Sequence, residues 1–482
     1  MGRCVLLGWL VTGVAMACAP SKSSAKRLAQ LERCHVQGGT RLAGCATIEV
    51  PLVHSDAKLG TIPLRVAVFE AESRTPSPDP IFLLAGGPGQ AATEAFPQLL
   101  PAWSRITATR DLVLIDVRGT GASKPLDCPQ DRSLEAIFRT DNIASSAKRC
   151  AALFASTAKY HTTAALADDL DVVRAQLGYE RINLLGVSYG TRLALEYARR
   201  HPKRLRSMVL DSVAPPTMVL SLSFALDGQR ALDQMFDRCA KNADCHKAFP
   251  NLKEDFDTLL ASLDDGKKLT IHHPHTGKPI EILLRRHIFA QAIRGLLYAP
   301  LFRSLLPLTI HQAKQGNFDP FVAQIATLAG GAQEGMSEGL FLSIACAEDI
   351  PRLTEKAIVE QSRASFLGDS IVREFQRACA HWPSAAHPKG FGMPVRSEVP
   401  TLLLSGELDP VTPPRWAEEA LATLPNGRHI VVPDEAHGVA AIGCVPRLLE
   451  RFLNEPQKRD FDAGCIDDHH GMKFFLDFAG PG

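Results

Sequence analysis

The chain has 482 residues, 45% of them apolar and 22% charged, which excludes a disordered chain and suits a globular protein with a large core. Its 53 Lys+Arg against 52 Asp+Glu leave a formal charge of +1, so no cationic excess exists for bulk binding to nucleic-acid phosphates. Beyond the extreme N-terminus no run of about 18 apolar residues occurs, which excludes an internal membrane-spanning helix.

Residues 1–17, MGRCVLLGWLVTGVAMA, read as an export signal: one Arg, an apolar stretch from Val5 to Met16, then small residues. Cys18 follows Ala17, where a bacterial lipoprotein signal carries its lipidated cysteine. A lipid anchor on Cys18 is therefore the one membrane attachment expected, with plain cleavage nearby as the alternative. The expected location is the periplasm or cell envelope, or the medium if the chain is secreted. Cys4 and Cys18 aside, ten of the 12 cysteines remain, in five sequence-local pairs. These are Cys34 and Cys45, Cys128 and Cys150, Cys239 and Cys245, Cys346 and Cys379, and Cys444 and Cys465. None has CxxC or HxxxH spacing, so no metal site is expected, and five disulfides in an oxidising compartment are the economical reading.

From Leu42 to Phe69, ATIEVPLV and TIPLRVAVFEA alternate as antiparallel strands do. After the Pro-rich break SRTPSPDP, the short apolar runs IFLLA (81–85), DLVLIDV (111–117), RINLLGV (181–187) and LRSMVLDSV (205–213) predict buried strands. Helical periods lie between them, one from Ala164 to Leu177 capped by Gly178 and one in TRLALEYARRHP stopped by Pro202. Residues 216–395 change to helical periods with one hairpin-like stretch, KKLTIHHPHTGKPIEI. Strand–helix text resumes with VPTLLLSGELD (399–409) and RHIVVPDEAHG (428–438). The pattern predicts an α/β fold with a mostly parallel sheet, helices on both faces and a largely helical lid. Its parts are core residues 18–215, insertion 216–395 and a C-terminal core part 396–482.

Gly186-Val187-Ser188-Tyr189-Gly190 fits G-x-S-x-G between a strand and a helix, the context of a nucleophile elbow. A serine hydroxyl needs a base and an orienting acid. Asp409 and His437 each stand just past a strand, in the order Ser, acid, His, so Asp409 is the expected orienter and His437 the expected base. Glu407 is the competing acid, and His429 reads as an edge residue. The remaining histidines, including His272, His273 and His275, read as surface-loop residues. Backbone N–H groups of Gly87, in the turn Gly86-Gly87-Pro88-Gly89, and of Tyr189 are the expected oxyanion donors. That turn also matches GxGxxA with Asp116 on a later strand, but a dinucleotide site would leave Ser188, Asp409 and His437 without a role. No cofactor is expected.

Five motifs carry a family resemblance: GGPG; Asp116-Val117-Arg118-Gly119-Thr120-Gly121-Ala122-Ser123; GVSYG; Cys346-Ala347-Glu348-Asp349; and SGELDPVTPP with EAHG. Together they resemble the α/β-hydrolases of the proline iminopeptidase and tripeptidyl aminopeptidase group over roughly residues 45–450. Ala85 before GGPG and Val117 before RGTG depart from the proline iminopeptidase pattern, which favours the tripeptidyl branch. The resemblance implies catalysis by Ser188, Asp409 and His437 and a C-terminal region like that branch's, with a Cys444–Cys465 disulfide. It also implies a lid carboxylate that meets the free amine of a peptide. Glu348 is the choice for that role, with Glu334 and Glu338 as fallbacks. The expected function is an exported serine aminopeptidase acting on peptides with a free N-terminus. An esterase or amide hydrolase of the same fold is the first alternative and a non-catalytic envelope lipoprotein the second. Nothing in the sequence sets an oligomeric state.

Overall fold

A computed structural model describes residues 31–129, 131, 133–139, 143–333, 335–458 and 461–481. The signal segment, Cys18 and Glu334 lie outside the described residues. Strands β1 (Glu32–Cys34), β2 (Ala43–Pro51) and β3 (Thr61–Phe69) pair antiparallel, with Ile48 opposite Leu64. Burial alternates through much of β2, as it must for a strand with one covered face. β4 (Ile81–Leu84) and β5 (Leu112–Ile115) are buried throughout. So, apart from one half-buried residue each, are β6 (Ile182–Val187) and β7 (Leu205–Asp211).

The insertion holds the hairpin β8 (Lys267–His272) and β9 (Pro279–Leu284), and β10 (Thr401–Gly406) and β11 (Gly427–Val432) close the sheet. The strand order is β1-β2-β3-β5-β4-β6-β7-β10-β11, and every pair from β5 to β11 is parallel. Phe82 and Leu84 enter the core beneath helices Thr163–Gln176 and Tyr189–Arg200. Ile81 and Leu83 point to the other face, with Trp103 and helix Val445–Asn454. The period of two thus splits each apolar run between two cores, which explains why these strands carry no polar alternation.

The stretch between β7 and β10 has two parts. Helices from Ser223 to Gln333 enclose their own core, built on the ring contacts of Phe256, Phe289 and Phe321. The following helix Glu338–Ile344 instead sends Leu340 and Ile344 into the core of the sheet. Leu342, Cys346 and Phe375 pack with residues of helix Ile143–Phe154. A single lid over 216–395 is therefore too simple, because its second half is rooted in the core. The chain end also differs from the expected core role: Phe474, Phe475 and Leu476 pack against the insertion's own cluster. Disulfides join all five neighbouring cysteine pairs. Among the described residues no helix is long and apolar enough to cross a membrane, and no group of His, Cys, Asp or Glu is arranged to hold a metal ion.

Candidate active site

Ser188 sits where β6 turns into helix Tyr189–Arg200, at φ 57° and ψ −124°, a conformation that non-glycine residues avoid. The flanking glycines make the turn possible. A Cβ on Gly186 would strike the backbone of Gly190, and one on Gly190 would strike the carbonyl of Leu84 on the neighbouring strand. Strand and helix approach too closely for any side chain there. The Ser188 N–H donates to the Asp211 carbonyl at 2.9 Å, which ties the elbow to the end of β7.

Asp409 lies just past β10 and His437 just past β11, and the register of these neighbouring strands brings the two loops together. Asp409 Oδ2 and His437 Nδ1 are 2.8 Å apart, and the Asp409 side chain is wholly buried. Burial alone would raise its pKa. The charge and hydrogen bond of His437 and the N–H groups of Thr412 and Val411 outweigh burial and hold it at about 2. The same pair works in reverse on His437: burial favours the neutral ring, but Asp409 overrides it and raises the pKa above 6.5. Thr412 Oγ1 lies 2.8 Å from Asp409 Oδ2 and 3.2 Å from His437 Nδ1. Tyr298, from the insertion, stands edge-on to the imidazole with ring centroids 5.2 Å apart.

The competitors are engaged elsewhere. Glu407 accepts from the Asp434 N–H at 3.0 Å and lies 3.4 Å from Arg238. His429 Nε2 lies 2.9 Å from Ser405 Oγ. His272 is exposed but closes strand β8 rather than standing in a loop, and it pairs with Asp319 at the start of a helix. His161 departs from the surface-loop reading. It is 2% exposed, with Nδ1 3.0 Å from the Thr157 carbonyl, and burial and the nearby Arg118 lower its pKa to about 4.

The glycine turn after β4 lies against the nucleophile, since a Cβ on Gly86 would sit 3.1 Å from Ser188 Cβ. Gly87 has φ 107°, where a side chain is strained. Tyr189 opens its helix, so its N–H has no acceptor within that helix. The two expected oxyanion donors thus belong to the segments that border Ser188. Asp116 is wholly buried and accepts from the N–H and hydroxyl of Thr93 and from the Ala122 N–H. It braces the turn and has no side open to a ribose.

Glu348 does not stand where an amine could meet it. A π-helical turn over Ala345–Asp349 buries it completely. One oxygen accepts from the Thr163 N–H and the other lies against the Thr163 hydroxyl, each at 2.6 Å, and Thr163 Oγ1 is 2.7 Å from the Tyr189 hydroxyl. Burial raises its pKa to about 8 against the bonds from Thr163, so the group is largely neutral at pH 7. Adjacent Asp349 takes Arg192 at 3.0 Å, and both side chains are inaccessible. Of the fallbacks, Glu338 accepts from Ser146 Oγ at 3.1 Å. It lines a cleft of about 160 Å³ with Glu94, Asp127, Gly335 and Met336.

One residue of consequence escaped the sequence reading. Asp211, at the end of β7, is buried and accepts from the N–H groups of Val439 and Ala440, both at 2.8 Å. Ser212 Oγ accepts from the Gly438 N–H at 2.8 Å. The carbonyl of Asp211 holds the elbow while its carboxylate holds the His437 loop. A lone Asp closing an apolar strand in LRSMVLD was the available signal. Thr412 could have been suspected from the Asp-x-x-Thr spacing of DPVT, a common side-chain-to-backbone turn.

A family model described as alpha/beta hydrolase fold matches residues 79–265, and one described as TAP-like protein matches 364–465. The serine protease Hip1 of Mycobacterium tuberculosis is 27% identical over 415 residues, covering 76% of this chain and 77% of its own. Tripeptidyl aminopeptidase of Streptomyces lividans is 29% identical over 192 residues, covering 36% of each chain. The solved proline iminopeptidase of Mycobacterium smegmatis aligns with 86% of this chain and 99% of its own, at 17% identity and a TM-score of 0.42. The relatives and the fold support an activity of the peptidase or esterase kind. The chain is an enzyme of the α/β-hydrolase fold with a TAP-like C-terminal region.

Proposed function

We propose that this chain is an exported serine aminopeptidase that releases short peptides or single residues from free N-termini. The observation that carries the reading is the 2.8 Å pairing of Asp409 with His437 on the strand ends beside the Ser188 elbow. Ser188 Oγ attacks the scissile carbonyl as His437 takes its proton, and Asp409 keeps the imidazole oriented and stabilises its positive form. The oxyanion receives N–H groups from Gly87 and Tyr189. His437 then gives the proton to the leaving amine, and a water it activates hydrolyses the acyl-enzyme. No step needs a metal or organic cofactor.

A peptide's free ammonium needs a carboxylate if it is to lose water on binding. With Glu348 sealed away, the role passes to Glu338, assisted by Glu94 and Asp127. Their cleft also takes in Met336, whose sulfur would be 3.1 Å from a Cβ on Gly87, so it adjoins the oxyanion turn. Five disulfides support export to an oxidising compartment. Ser188→Ala should abolish both fluorophosphonate labelling and turnover of tri-alanyl anilide. Equal turnover of free and N-blocked anilides would sink the aminopeptidase reading, and turnover of esters alone would leave an esterase.

A further inference from the structure

Because His437 hands its proton to the departing amine, the leaving part of a peptide lies on the His437 side of the scissile bond. The loop that carries His437 borders a cleft of about 470 Å³ lined by Met235, Arg238, Lys241, Arg303, Asp434 and Lys473, among others. Four of these side chains are cationic and one is a carboxylate. Arg238 is paired with Asp434 and lies 3.4 Å from Glu407. Lys241 ends helix Ser223–Lys241, and Lys473 stands in the C-terminal segment. Both are exposed and have no carboxylate partner among the described residues. Arg303 is only 6% exposed, and one Nη donates to the Asp434 carbonyl while the other has no acceptor in the chain. Burial lowers its pKa to about 10, countered by Glu435 and Glu407 and reinforced by Arg238. A buried guanidinium with an unused donor, in a cleft that two unpaired lysines also line, favours an anion.

We infer that this cleft receives the C-terminal carboxylate of a short peptide substrate, on the leaving side of the cut. The inference rests on the peptidase reading and extends it. The cleft of Glu338 adjoins the oxyanion turn and takes the amine, and the cleft of Arg303 adjoins the His437 loop and takes the carboxylate. A peptide charged at both ends then matches the site at both ends, which selects short oligopeptides over protein chains.

The test measures kcat/KM for alanine oligomers of four to eight residues, each as free acid and as C-terminal amide. The free acid should be favoured about fivefold to tenfold at the length that reaches the cleft, and salt should erode the preference. Lys241→Gln with Lys473→Gln, at two exposed positions, should lower the acid-to-amide ratio at least about twofold, the remainder resting on Arg303. A ratio near one in the wild type at every length, or a preference undiminished by the double substitution, overturns the inference. If tri-alanyl anilide is cleaved and the ratio is one, the peptidase reading stands and only the inference falls. If the anilide is not cleaved, the peptidase reading falls, and calorimetric binding of the same peptides to Ser188→Ala decides the inference. Tighter binding of the acid than the amide supports it, and equal binding overturns it.

Discussion

Two buried carboxylates, Asp409 past β10 and Glu348 in the π-helical turn of the insertion, share almost every local feature and end in opposite charge states. Both are inaccessible, and each is bonded to a threonine hydroxyl and backbone N–H, Thr412 for Asp409 and Thr163 for Glu348. Burial is the largest influence on each and pushes both toward the neutral acid. Asp409 is nevertheless held at about 2, because His437 can answer its charge. Glu348 rises to about 8, because Arg192, the cation whose charge acts on it, directs its carboxylate hydrogen bonds to Asp349. The partner decides whether a buried acid stays ionised. Asp409 is suited to support an imidazolium, whereas Glu348 serves as a neutral brace behind Tyr189.

The largest way to break this comparison is Asp409→Asn. It removes the charge that orients and stabilises His437 and should lower kcat for tri-alanyl anilide by about 10³–10⁴. A loss under tenfold would mean that another group orients His437. Thr412→Val sharpens the same point at smaller scale. It deletes the hydroxyl lying between Asp409 Oδ2 and His437 Nδ1. One hydrogen bond to a charged group is worth about 1.5 kcal/mol, so kcat should fall about tenfold with KM little changed. An unchanged kcat would show that Asp409 and His437 hold each other without it.

The pH profile follows from the raised pKa of His437. The base must be neutral, so activity is lost as pH falls through that pKa. The acid limb of kcat/KM should therefore lie above 6.5, and Asp409→Asn should move it down, since burial then acts on the ring with less opposition. A wild-type limb below 6.5 would contradict the pairing.

The sheet and the catalytic constellation were legible in the sequence because each rests on local signals. Runs such as IFLL and LVLI are buried on both faces and need no distant information to be read as strands. Ser188, Asp409 and His437 each stand within five residues of a strand end, so strand positions fix their neighbourhood. The cysteine pairs closed as neighbours for the same reason. What escaped depends on contacts far apart in sequence. Glu348 turns toward Thr163, 185 residues away, and nothing in ACAED says which way a π-helical turn will aim it. Asp211 bonds to Val439, 228 residues on. The split of the insertion between two cores depends likewise on which face of helix Glu338–Ile344 meets the sheet.

Glu348→Gln should have the smallest effect on activity and the clearest effect on stability. At neutral pH the acid is largely protonated, and glutamine keeps an acceptor for the Thr163 N–H and an N–H₂ for its hydroxyl. Turnover of a free-amine peptide should therefore change less than about threefold, since a neutral group replaces a neutral group. Stability carries the signature. The folded pKa of about 8 lies above the ordinary 4.5, so the protonated form suits the fold. Its contribution is whole below about 4.5 and is lost as pH rises through about 8. Glutamine does not titrate. In urea unfolding the variant and wild type should be close near pH 4, and the variant should gain by a few kcal/mol as pH approaches 8. A parallel pH dependence in the two proteins would mean that Glu348 is already ionised in the fold. A fall of more than tenfold in kcat/KM, confined to free-amine peptides, would return Glu348 to the role of amine anchor and end the distinction from Asp409.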